Sequence, residues 1–127
     1  MRAPLWLSGE FVDHVHAQLI REHGGSYGIR DRGLIESALA RPRNRWQYEN
    51  RTDLAALAAA YAFGLARNHG YVDGNKRVAF MAAYSFLDAN GLHLTASEAE
   101  AYAVFLDLAA GNLSEDDLTL WLRASVE

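Results

Sequence analysis

Apolar residues recur along the chain at three- and four-residue spacing in successive blocks, and runs that alternate apolar with polar are nearly missing. That pattern predicts an all-α protein: a single compact bundle of about six helices spanning residues 1–127. Ser8 is placed to cap a first helix with Phe11, Val12, Val15 and Leu19 on one side, stopped by Gly24-Gly25. Asp31 is placed to cap a short second helix with Leu34, Ile35, Ala38 and Leu39 inward. Thr52 opens a third, in which Leu54, Leu57, Ala58, Tyr61 and Leu65 share a face and which ends near Asn68. A fourth begins near Asn75; from Val78 to Leu87 it carries no charge, which marks it as the buried centre of the bundle. Ser97 with Glu100 has capping-box spacing for a fifth helix presenting Tyr102, Phe105, Leu106 and Ala109. Ser114 with Asp117, and Leu113 with Leu118 as a hydrophobic staple, start a last helix containing Trp121.

Composition narrows the class. With 127 residues, half of them apolar, one domain has enough material for a core, and the absence of cysteine excludes disulfides, thiolate zinc sites and a cysteine nucleophile. The start, Met1 to Leu5, is too short an apolar stretch for a signal peptide. The longest uncharged run, Leu54 to Ala66, falls short of the roughly 20 residues of a membrane span. A cytoplasmic protein without membrane contact is expected. The net charge of −4 argues against a surface built to track nucleic acid.

One stretch has a mixture for which a core has no use. His69-Gly70-Tyr71-Val72-Asp73-Gly74-Asn75-Lys76-Arg77 places an imidazole, a carboxylate, two glycines, an amide and two cations between apolar helices. The glycines allow close backbone approach, and the helix start that follows offers free amides and a positive dipole end to an anion. Lys76 and Arg77 in that first turn oppose the dipole unless an anion arrives. His69 suits a general base near neutral pH, and Asp73 is a hard oxygen ligand suited to Mg²⁺. Lys76 and Arg77 suit phosphoryl oxygens. These are parts of phosphoryl or nucleotidyl transfer, and equally the parts of a solvated turn with an asparagine cap; spacing alone does not separate the two.

The same residues resemble the Fic/Doc family, and in particular the Doc pattern H-x-F-x-D-A-N-K-R, with Tyr71 for the aromatic and Gly74 for the small residue. The segment Gly24 to Ala38 also resembles a family segment, so the likeness covers nearly the whole chain. The resemblance implies His69 as catalytic base and Asp73 as Mg²⁺ ligand, with Lys76 and Arg77 as catalytic cations. It implies Gly74, Asn75, Lys76, Arg77 and Arg67 as ATP-binding residues, and Tyr71 as the anchor of the loop. The adenylyl-transferring branch carries H-P-F-x-x-G-N-G-R-x-x-R; here Lys76 replaces the middle glycine and Phe80 takes the second arginine position. Both departures resemble Doc, which implies γ-phosphoryl transfer from ATP to a threonine of elongation factor Tu and a block of translation. Adenylyl transfer by the same loop, or a non-catalytic binding module, are the alternatives. The internal inhibitory pattern [S/T]-x-x-x-E-[G/N] does not occur. The resemblance implies instead a separate antitoxin whose C-terminal segment binds a groove beside the site.

Arg41 to Tyr48 is the one basic, aromatic patch; it falls where the family it resembles has a flap that positions the target, which implies docking by Arg43, Arg45 and Trp46, while its plain reading is a solvated interhelix loop anchored by Trp46. His14 and His16 lie about 200° apart on a helix and are expected at the surface. His23 and His93 are expected to cap helix ends or face solvent. Glu115-Asp116-Asp117 reads as charge complementing a helix dipole, and Trp6 and Trp121 as packing residues.

Overall fold

A computed structural model describes residues 2–50 and 53–127. Six helices follow one another: α1 (Gly9–His23), α2 (Arg32–Tyr48), α3 (Leu54–Asn68), α4 (Asn75–Ala89), α5 (Glu98–Ala109) and α6 (Glu115–Ala124). Among the described residues, extended pairing is confined to the isolated bridges Ile29–Tyr71 and Leu94–Val126. The all-α bundle expected from the sequence is therefore the observed fold, and none of its helices is long and apolar enough to cross a membrane.

Capping residues mark most starts. Ser8 accepts from the Phe11 amide, Asp31 from Leu34, Ser97 from Glu100 and Ser114 from Asp117. The expected cap Thr52 lies outside the described residues; Asp53 accepts from the Ala55 amide at the start of α3. The capping box at Ser97 is half made, because the Glu100 carboxylate accepts instead from the Trp121 indole at 3.0 Å.

Three expectations need correction. The centre of the bundle is α3, packed against α2, α4, α5 and α6, rather than α4. Its Ala55, Ala56, Ala58, Ala59, Ala60, Ala62 and Ala66 are buried, and small side chains let neighbouring helices approach from all sides. At Gly64 a Cβ would lie 3.0 Å from Ala38 on α2, so glycine sets that crossing. The inward face of α5 is Ala101, Phe105 and Leu108, while Tyr102 and Leu106 are exposed. And α2 is not short: it runs through Pro42 to Tyr48, so the basic stretch is helix rather than loop.

What carries α2 past its proline is tertiary. Pro42 is buried, Trp46 packs edge-on against Trp6, and Arg41 and Arg45, one turn apart, both pair with Glu115 at the start of α6. Glu115 is 9% exposed, with Arg41 Nε at 2.9 Å and Arg45 Nε at 2.8 Å, so its role extends well beyond the helix dipole. Replacing Glu115 by alanine leaves two guanidiniums without their shared partner and is expected to cost about 2 kcal/mol of stability in urea denaturation. A loss under about 0.5 kcal/mol, the range of an ordinary surface change, would mean that α2 holds its second half without the pair.

Candidate active site

The segment between α3 and α4 is fastened at nearly every residue. His69 ends α3 in the left-handed region, φ 51° and ψ 49°, and is exposed. Arg30 stabilises that end: its Nε donates to the His69 carbonyl at 2.7 Å and its terminal nitrogen to the Asn68 carbonyl at 3.1 Å. The Gly70 carbonyl accepts from the Arg30 and Asp31 amides at 2.8 and 2.9 Å, and Val72 donates to the Gly28 carbonyl. Asn75 closes the turn upon itself, its Oδ1 accepting from the Tyr71 amide and its Nδ2 donating to the Tyr71 carbonyl.

Tyr71 is buried to 2% exposure and forms the foot of this turn. Its hydroxyl donates to Asp13 at 2.5 Å, and Arg32 donates to the other Asp13 oxygen at 2.6 Å. Burial first, then the neighbouring Asp13 carboxylate, raises the Tyr71 phenol well above its ordinary value, so it stays a donor. Burial alone would raise Asp13, but the hydrogen bonds from Arg32 and Tyr71 outweigh it and hold the carboxyl below the usual range. A tyrosine at the aromatic position is thus provided for.

Gly74 precedes α4 at φ 79°, a conformation in which glycine carries no Cβ penalty, and offers no side chain to the first amides of the helix. The other five helices each receive a side-chain cap. The start of α4 therefore presents amides and the positive dipole end without a protein acceptor. The residues of that first turn line an open cleft of about 490 Å³. One wall is His69, Asp73, Gly74, Asn75, Lys76 and Arg77; Leu106 and Ala109 of α5 stand opposite. Among the described residues Arg77 makes no ion pair, while Lys76 rests with its ammonium 4.7 Å from the centre of the Tyr102 ring.

Asp73 stands at the rim, one carboxylate oxygen accepting from the Ser26 amide at 3.2 Å and the other from Gly74 at 2.9 Å. Among the described residues no three His, Asp or Glu side chains gather into a metal cage. The donor set, one exposed carboxylate beside an anion-seeking helix start, fits a Mg²⁺ ion that keeps its waters and shares substrate phosphates.

The cleft thus brings together six of the residues singled out from the sequence. Arg67 is not among them: its guanidinium lies 5.4 Å from the Phe63 ring and beside Gly111. Arg43 lies over Trp6, Trp46 packs on the same indole, and Arg45 is held by Glu115, so none of the three lines the cleft. Three supporting residues escaped the sequence reading: Arg30, Asp13 and His16. The last, expected at the surface, is 3% exposed; its ring stacks on Tyr71 with centroids 3.8 Å apart. Asp13, His16 and Ile20 fall at i, i+3 and i+7 of α1, the face signal that would have found them.

A model of the Fic/DOC family matches residues 6–87. A protein named Toxin Doc from Mycolicibacterium smegmatis is 46% identical over 74 residues, 58% of this chain and 57% of its own length. The chain thus matches just over half of that relative. Protein kinase doc of Escherichia phage P1 is 33% identical over 117 residues, 92% of each chain.

Proposed function

The chain belongs to the Doc branch of the Fic/Doc family, and from that premise we propose that it is an ATP-dependent protein kinase acting as the toxin of a toxin–antitoxin pair. Its substrate is a threonine hydroxyl of elongation factor Tu. The observation that carries the reading is the uncapped start of α4, opening on a cleft that His69, Lys76 and Arg77 also line.

The chemistry follows from the positions. Amides at the start of α4 and the Arg77 guanidinium hold phosphate oxygens and absorb charge as the γ-phosphoryl group moves. His69, exposed at the cleft edge, accepts the proton of the attacking hydroxyl. A bond forms between that oxygen and the γ-phosphorus, the bond to the β–γ bridging oxygen breaks, and ADP leaves. Asp73 would hold a Mg²⁺ ion, which supplies positive charge to the phosphates. Lys76 must leave the Tyr102 ring to reach the nucleotide, a change of side-chain rotamer only.

Phosphoryl rather than adenylyl transfer is favoured by Phe80. At the position where the adenylyl-transferring pattern has a second arginine, this ring packs edge-on against Phe105 at 5.3 Å and offers nothing to a phosphate. The antitoxin is assigned to a second, more apolar groove of about 320 Å³, walled by Leu19, Phe80, Met81, Ala101 and Phe105 and reaching Lys76 and Arg77. An amphipathic helix laying its apolar face there fits the lining.

The test is incubation with elongation factor Tu, Mg²⁺ and ATP labelled at either the α or the γ position. Label is expected from γ alone. Label from α would replace the kinase reading by adenylyl transfer, and none from either would refute transfer to this target.

A further inference from the structure

The Asp73–Gly74 peptide lies where the cleft, the metal-ligand carboxylate and the start of α4 meet, so its orientation decides the geometry of all three. Apolar burial does not set that orientation, because Val72 and Asp73 are exposed. Tyr71 is fixed by burial, Val72 by its amide on the Gly28 carbonyl and Asn75 by its two bonds to Tyr71, and none of these touches the Asp73 carbonyl. A single bond to the Asp73 carbonyl comes from the described residues: His16 Nε2, at 2.7 Å, from a ring that α1 keeps inside the protein.

We propose that His16 is a positioning residue for phosphoryl transfer, its Nε2–H clamping the Asp73 carbonyl so that the Asp73 carboxylate and the first amides of α4 face the cleft together. The inference rests on the transfer reading given above. A carbonyl only accepts, so Nε2 carries the hydrogen in this bond. The ring plane is held independently, by stacking on Tyr71 at an angle of 11°. Tyr71 is itself pinned through its hydroxyl to Asp13, and Asp13 to Arg32. Donor and foot of the turn therefore move as one body with α1, and the loop is gripped at residues 71 and 73 from the same helix.

Contact on the far side is equally close. A Cβ added at Gly74 would lie 3.4 Å from His16 Nε2 and 3.5 Å from its Cδ2, so the ring also backs the left-handed turn that opens α4. A buried polar ring at 3% exposure needs such a partner, and among the described residues the ring is the donor that the Asp73 carbonyl finds. Removing the donor releases the peptide without unseating Tyr71. That separation makes the role testable apart from folding.

Two substitutions divide the features of the ring. H16F keeps the volume and the stack on Tyr71 but loses the donor; H16Q keeps an amide donor of similar reach but loses the ring. Three quantities are read: the melting transition, kcat at saturating ATP with the half-saturating Mg²⁺ concentration, and hydrogen exchange of the Gly74 amide in nucleotide-free protein. H16F is expected to melt cooperatively, to lower kcat or raise the Mg²⁺ requirement about tenfold or more, and to speed exchange at Gly74. H16Q is expected to recover most of both. H16L, with apolar volume alone, replaces H16F if the phenylalanine variant does not fold.

A donorless variant with parental kcat, Mg²⁺ requirement and Gly74 exchange would overturn the proposal, as would H16Q impaired as fully as H16F. A purely structural role would lower the melting temperature and leave the rate per folded molecule unchanged, which also counts against it. Failure of the parent protein to transfer label refutes the kinase reading instead; the Gly74 exchange comparison then decides the clamp alone.

Discussion

Replacing His69 by alanine lowers the rate of transfer by about 10² to 10⁴-fold, the usual contribution of a positioned general base, and leaves the bundle folded. The side chain stands exposed at the end of α3, and among the described residues its imidazole makes no hydrogen bond. What fastens this residue is its backbone, through the carbonyl that Arg30 holds at 2.7 Å, and the substitution leaves that bond in place. Histidine enters the left-handed region more readily than alanine, so the substitution at φ 51° costs under about 1 kcal/mol, too little to unfold the bundle. On the kinase reading, ATP affinity is expected within about threefold of the parent, because the α4 amides and Arg77, which that reading sets on the phosphates, are untouched. Transfer rate, nucleotide affinity and melting temperature measured on one preparation check all three statements. A variant that transfers within about threefold of the parent would move the proton acceptor elsewhere, since no general base contributes so little.

Replacing Gly70 by alanine unseats the loop from the core and is expected to cost about 3 kcal/mol, at the upper end of overpacking effects. An added Cβ would press on Ile35 Cγ1 more closely than real side chains tolerate, with the Ile35 amide at 3.1 Å and the Asp31 carbonyl at 3.3 Å beyond it. Ile35 is 1% exposed and has nowhere to go. The Gly70 backbone cannot retreat either, because its carbonyl holds the amides of Arg30 and Asp31. Gly9 makes the control: its φ is not positive and an added Cβ would meet only Leu39 Cδ1 at 3.6 Å and Glu36 Oε1 at 3.7 Å, so its alanine variant is expected to change stability by less than about 1 kcal/mol. Urea denaturation of the two variants checks the difference. Equal losses at both positions would mean that the Ile35 contact does not determine how the loop sits.

Local chemistry was legible in the sequence. Ser8, Asp31, Ser97 and Ser114 cap the helices they were expected to cap, because a cap is decided within four residues. The turn from His69 to Arg77 was legible for the same reason: glycine, asparagine and cations crowd into nine positions. What long-range contact decides was not. Pro42 and its arginine neighbours read as a loop until Glu115, seventy or more positions away, is seen to hold Arg41 and Arg45. His16 read as a surface residue because its partner, the Asp73 carbonyl, lies 57 residues on and leaves no trace in side-chain pattern. The absence of charge over Val78 to Leu87 points to α4 as the centre, but Leu54 to Ala66 in α3 is a longer uncharged run, and its alanines suit close helix packing on several sides.

Lys76 and Arg77 line both the open cleft and the apolar groove. On the proposed reading, a nucleotide in the cleft and an antitoxin in the groove would meet the same two cations, and if nucleotide weakens the antitoxin by some factor, the antitoxin must weaken nucleotide by the same factor. On the kinase reading, the threshold at which such a toxin is set free would then depend on the energy state of its host as well as on the supply of antitoxin, and a well-fed cell would need more antitoxin than a starved one to stay alive.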